Sequence, residues 1–228
     1  MVQRSARLTG DERLQDLFDT YYKRYFPTRR QGYGYLWFQE KGWAPVTYEQ
    51  IESLDDYQQF FAYALTCDAD LGRQPLIYAQ NDPTYCDGHP LRSSCVTHQM
   101  MGLQILRERR CGDVDRHSEV IQTLQKRVVR QLTLDPRLLD QYIQRVLMLL
   151  DTGALSMVKP VWINRVINGS LGDGGWPERR VILDIPGKYD LILTRNFIGL
   201  GEVKSLFHAT AQALLIFALL MENEKEVK

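Results

Sequence analysis

The sequence predicts a mainly α-helical protein assembled from helix pairs, and three observations carry that prediction. Apolar residues recur at helical spacing through most of the chain, the breaks between these runs hold the caps, prolines and glycines that start and stop helices, and four of the runs begin in a shared frame. At 228 residues the chain can bury one substantial core without metals or disulfides, so one domain over 1–228 is expected, with 1–45 as an N-terminal extension packed on it. Lys plus Arg and Asp plus Glu both number 28, a formal net charge of zero that argues against nucleic acid as a partner.

The elements follow in chain order. Leu14, Leu17, Phe18, Tyr21, Tyr22 and Tyr25 keep helical spacing from Thr9 to Phe26, and Pro27 ends the run. The aromatic stretch Tyr33 to Trp43, interrupted by Gln39-Glu40-Lys41-Gly42, predicts a short β-hairpin. Thr47 with Gln50 forms a capping-box pattern, and helix period continues through Tyr57, Phe60, Phe61, Ala64 and Leu65 to a break at Asp68 to Gly72. After a short segment at Leu76 to Ala79, a polar loop leads into a helix from Pro90 to Arg109 that Gly112 closes. Ser118 to Gln131 and Pro136 to Leu150 read as two more helices, the second capped by Asp135. Val158 to Ile167 is a shorter helix, Gly169 to Pro177 a glycine-rich loop, Val181 to Gly201 irregular or extended, and Ser205 to Glu222 the last helix.

Met1 to Asp16 contains Arg4, Arg7 and Arg13 but no apolar leader core, and the most apolar stretch, Ala209 to Met221, is too short to cross a bilayer. A cytoplasmic protein without a membrane span is therefore expected. In a reducing setting Cys67, Cys86, Cys95 and Cys111 read as thiols, metal ligands or buried apolar fillers rather than disulfides.

The shared frame is clearest between Cys95-Val96-Thr97-His98-Gln99 and His208-Ala209-Thr210-Ala211-Gln212, which align without gaps ahead of Leu-rich helix. Asp140 precedes Gln144, and Asp55 precedes Gln59, by the same four residues. The starts at 55, 95, 140 and 208 are spaced as a helix pair plus loops, with one long insertion.

Val161-Trp162-Ile163-Asn164-Arg165-Val166, then Asp173-Gly174-Gly175-Trp176, then Phe207-His208-Ala209-Thr210-Ala211-Gln212-Ala213-Leu214 resembles the repeat of α/α-toroid proteins, the superfamily of terpenoid cyclases and protein prenyltransferase β-subunits. The likeness is clear over 158–222, weak over 80–150, and absent before about residue 45. It implies repeated helical hairpins forming a partial or small α/α toroid around a central cavity. A Gly-Gly-Trp turn of this kind has a local logic: the glycines allow a tight turn, Trp176 packs between helices, and Ala209, Ala211 and Ala213 permit close helix approach.

The candidate chemistry centres on the polar cluster Asp82, Cys86, Asp87, His89, Cys95 and His98. Thiolate and imidazole are the ligands zinc takes, so Cys86, His89 and Cys95 are candidate metal ligands, with His208 a fourth through the shared frame. That frame also sets Cys95, Asp140 and His208 at equivalent helix starts, a set that resembles the Asp, Cys and His of the prenyltransferase zinc site in composition though not in spacing. Asp140 and His98 are the candidate acid-base residues, and Gln99, Gln144, Gln212 and Trp176 the candidate ligand contacts. Asp68-Ala69-Asp70-Leu71 and Asp55-Asp56-Tyr57-Gln58-Gln59 each lack the last acid of a cyclase motif and read as helix-edge acids. The expected function is binding of a small apolar or peptide-like ligand, processed with zinc as a metal-assisted transferase or cyclase would; the alternative is a non-catalytic helical-repeat protein that binds a protein partner.

Overall fold

The computed structural model describes residues 1–25, 46–87, 94–134, 139–183, 190–193 and 198–226. The expected hairpin at 33–43 and His89 lie outside the described residues, as do the cap at Asp135 and the helix starts at Pro90 and Pro136. The protein is mainly helical. In order run α1 (Val2–Thr9), α2 (Glu12–Tyr25), a 3-10 turn (Tyr48–Gln50), α3 (Asp56–Thr66), α4 (Ala69–Gly72), α5 (Pro75–Ala79), α6 (Cys95–Arg109), α7 (Val114–Leu134) and α8 (Leu139–Asp151). A second 3-10 turn (Leu155–Met157), α9 (Pro160–Ile167), strands β1 (Arg180–Leu183), β2 (Asp190–Leu193) and β3 (Ile198–Gly201), and α10 (Phe207–Glu226) complete it. No helix among the described residues is long and apolar enough to cross a membrane.

Local chemistry explains several departures from the expected boundaries. The first expected helix is α2, beginning three residues later than expected, and a separate helix α1 precedes it, ended by Gly10 with a left-handed φ of 70°. The single helix expected from Thr47 to Leu65 is two elements. Gln50 accepts from the Thr47 backbone N–H at 3.1 Å, and Gln58 accepts from Asp55 N–H at 3.2 Å, so a second capping box restarts the helix. Asp68 ends no cyclase motif. It caps α4, its carboxylate accepting from the N–H groups of Asp70 and Leu71 at 2.8 and 3.0 Å. The extended stretch near the end is an antiparallel sheet in the order β1-β2-β3, with Arg180 opposite Leu193 and Asp190 opposite Gly201.

The chain divides into two compact units. Unit 1 comprises Met1–Phe18 with Val128–Lys228, and unit 2 comprises Asp19–Arg127.

Unit 1 is organised by α8, which is buried on every face: Ile143, Val146, Met148 and Leu149 are wholly inside, and so are Gln144 and Arg145. α10 packs along α8, and α1 packs on α10; Ala209, Ala211, Ala213 and Ala218 of α10 are all buried. Arg4 of α1 pairs with Asp151 at the end of α8.

Unit 2 is built on the pair α3 and α6, with α5 against α3. The helices meet at Gly102, where an added Cβ would overlap the Phe60 ring. Two disulfides secure this unit, Cys67 to Cys111 and Cys86 to Cys95, with Cα separations of 5.6 and 5.8 Å, inside the range a disulfide spans without backbone movement. They correct the expectation of unpaired thiols. Compartment does not decide the pairing, and neither does sequence spacing.

Candidate functional site

In unit 1 the Gly-Gly-Trp turn fixes the start of α10. Gly174 has φ of 81°, Gly175 N–H donates to Asp173 Oδ1 at 2.9 Å, and Ser205 Oγ donates to both Asp173 oxygens at 2.7 and 2.8 Å. These donors hold the Asp173 carboxyl below its usual range, Ser205 most of all. A Cβ on Gly175 would overlap Ser205, so this turn takes glycine for space as well as for backbone freedom. Trp176 is buried; its backbone N–H donates to Thr210 Oγ1 at 3.0 Å and its indole N–H to Val166 O at 2.6 Å. The turn, α9 and α10 are thereby joined through one tryptophan.

This clamp sets His208 in the first turn of α10 beside Asp140 in the first turn of α8. His208 Nδ1 lies 2.9 Å from Asp140 Oδ1, and Gln212 Nε2 lies 3.1 Å from His208 Nε2. The Asp140 backbone N–H donates to Glu178 O at 3.1 Å, which anchors the acid. The Asp140 hydrogen bond raises the pKa of His208, with partial burial opposing and the carboxylate charge adding to the rise. A raised pKa favours imidazolium, which needs acceptors on both nitrogens. Asp140 is one. Turning the Gln212 amide over makes its Oε1 the other, and that atom is buried without a partner as the amide now stands.

The zinc expectation meets three facts. Cys86 and Cys95, expected as thiolate ligands, are bonded to each other. Both nitrogens of His208 are engaged, and Cys95 belongs to unit 2 while His208 belongs to unit 1. Among the described residues no group of three His, Cys, Asp or Glu side chains is gathered as a metal ion requires. Within unit 1 the geometry gives the Asp140–His208 pair a charge-holding role.

The remaining candidates are built into the fold. His98, expected as an acid-base residue, stacks on Tyr57 with centroids 4.2 Å apart and meets Phe61 edge-on. Gln99 donates to the carbonyls of Gln80 and Asp82 at 2.8 and 2.7 Å, and Gln59 likewise donates to those of Glu52 and Leu54 at 3.1 and 2.9 Å. Both buried amides thus serve carbonyls of the loop before their helix. Gln144 and Gln212 are buried as well. In the polar cluster, Asp82 accepts from Thr84 N–H and Oγ1 at 2.7 Å each, and Asp87 pairs with Arg127 at 2.6 Å.

A feature with no counterpart in the sequence reading is a cavity of about 830 Å³ in unit 2, open on one side, walled by Tyr63, Arg73, Tyr78, Asn81, Tyr85, Gly112, Arg116 and His117 among others. His117 is only 4% exposed, and its Nδ1 has no hydrogen-bond partner. Burial pushes its pKa down, against a smaller upward pull from Asp113. The available signal was its register: His117 stands three and four residues before Val120 and Ile121 on the apolar stripe of α7.

Comparison with protein families, curated proteins and solved structures finds no match to this chain.

Proposed function

We propose that this is a ligand-binding protein of paired helices, of the α/α-toroid kind, whose Asp140–His208 pair receives a small apolar or peptide-like ligand. The observation that carries the reading is that 2.9 Å contact, made at the starts of two helices and flanked by exposed apolar side chains, Leu206 at 38% and Phe207 at 58%. His208 occupies one Asp140 oxygen; the other carboxylate oxygen is an acceptor suited to a peptide N–H, and Leu206, 38% exposed, adds apolar surface beside it. The frame shared by Asp140 with His208, and by Gln59 with Gln99, supports the repeated-hairpin reading.

The test titrates short amidated apolar peptides into the protein and follows the His208 ring and the amides of α10 by NMR. Saturable shifts that are lost in Asp140→Asn are expected; peptides that leave His208 unmoved refute the proposal. Metal analysis runs beside it. Zinc near one per chain, lost in both Asp140→Ala and His208→Ala, would replace this reading with the metal-assisted transferase or cyclase.

A second reading, a helical protein that binds a protein partner, draws on the second 3-10 turn and α9. Leu155, Met157, Val161 and Ile167 are all exposed there, while Trp162 and Val166 on the same helix are buried.

A further inference from the structure

The two disulfides of unit 2 stand in opposite electrostatic settings. Cys95 is the first residue of α6, and the first turn of that helix carries no acidic side chain. The positive end of the helix dipole therefore acts at this position and favours a thiolate. The other link joins helix ends of the opposite sign. Cys67 terminates α3, its N–H donating to Tyr63 O at 2.8 Å, and Cys111 lies just past the end of α6, its N–H donating to Leu106 O at 2.9 Å. A thiolate at a carbonyl end is disfavoured. Cys95 and Cys67 both have exposed surface while Cys86 and Cys111 are each 6% exposed, so access alone does not separate the two links.

A buried amide separates them further. Gln99 is 1% exposed, its Nε2 donates to the carbonyls of Gln80 and Asp82, and its Oε1 lies 3.5 Å from Cys86 Sγ. A disulfide sulfur carries no hydrogen, so that oxygen gains a donor only when Cys86 becomes a thiol. The chain around Cys86 also has anchors besides the covalent link. Gln99 holds the two carbonyls ahead of it, and Asp87 pairs with Arg127 of α7 at 2.6 Å. The Cys86–Cys95 bond can thus open and reclose on a standing frame.

We infer that Cys86–Cys95 is a redox-active pair that exchanges with a partner dithiol, while Cys67–Cys111 is the structural link. A partner thiolate attacks Cys95 Sγ, the more accessible sulfur, and the bond to Cys86 breaks. Cys86 leaves with the electron pair and takes up the proton that the partner's second thiol gives up; its S–H then donates to Gln99 Oε1. The partner's second thiolate attacks its own sulfur in the mixed disulfide and releases Cys95 as a thiolate at the helix start. The partner departs as a disulfide, two electrons having passed to the protein.

The inference does not depend on the Asp140–His208 site. The full chain is equilibrated with mixtures of reduced and oxidised dithiothreitol, free thiols are alkylated, and peptide mass mapping gives the fraction of each pair that is open. Cys86–Cys95 is expected to open at a ratio of reduced to oxidised reagent about tenfold below that needed for Cys67–Cys111. It should reclose in the oxidised mixture, with the amide signals of α6 those of a folded helix throughout. Beside this, Cys95 in Cys86→Ser is expected to form a mixed disulfide with oxidised glutathione about fivefold faster than Cys67 in Cys111→Ser. The first measurement needs no substitution, so it decides the matter even where a variant fails to fold. Equal opening of the two links, earlier opening of Cys67–Cys111, loss of the α6 signals once Cys86–Cys95 opens, or a Cys95 no faster than Cys67 would each overturn the proposal.

Discussion

The two units solve the same problem by different means. Unit 1 rests on a helix buried all round with α10 packed along it; unit 2 rests on the α3–α6 pair and adds two covalent links. Their histidines diverge in the same sense. His208 is half-exposed, paired and pushed up in pKa; His117 is buried, unpaired and pushed down. Packing and pairing carry one unit, whereas crosslinking in the other tolerates an unsatisfied buried group beside an open cavity.

The sharpest way to break this comparison is reduction. Removing the Cys67–Cys111 link, as in a Cys67→Ala/Cys111→Ala variant, is expected to cost about 4 kcal/mol in the chain-entropy account, and the shorter Cys86–Cys95 loop about 3 kcal/mol. Residue-resolved hydrogen exchange should show the loss in α3 and α6 while α8 and α10 keep their protection; equal loss in both would dissolve the distinction. The converse variant is Ile143→Ala in α8, expected to cost about 3 kcal/mol by denaturant unfolding, with the same exchange experiment now reporting on unit 1. Smaller again is Gln99→Ala. It strands two carbonyls before α6 and should cost about 2 kcal/mol, visible as faster exchange and a lower denaturant midpoint.

The smallest effects carry opposite signs. Because the folded pKa of His208 is raised, its contribution is complete below the unfolded value near 6.5 and fades as pH rises through the folded value. Asp140→Asn should abolish that trend at a cost of about 0.5 kcal/mol, modest because the imidazole is half-exposed. For His117 the folded pKa is depressed, so stability is complete above about 6.5 and declines as pH falls toward the folded value. A series of denaturant midpoints from acid to mild alkali, repeated in His117→Gln and Asp140→Asn, separates the two slopes; a single slope lost in neither variant would contradict the assignment.

Helix identity was legible in the sequence wherever period and cap agreed, as in α8, α9 and α10, because a buried helical face leaves a regular trace. Asp140 and His208, two residues the sequence singles out, do touch. What escaped was long-range. Cys86 and Cys95 stood in view as possible ligands, but nothing in their spacing says that their sulfurs pair. The strands after Pro177 gave no strong alternation, since short strands paired across a bulge carry little periodic signal. Tyr63, Arg73 and His117 come from separate elements, and nothing local marks them as neighbours.

Unit 1 is assembled from two distant stretches of sequence, and α1 packs on α10. During synthesis, then, α1 is made well before the surface of α10 on which it docks. Until α10 emerges, the apolar side of α1 has no α10 to pack on, while the intervening 19–127 region is free to fold first. The completion of unit 1 is thereby tied to its later stretch, however readily α1 forms by itself.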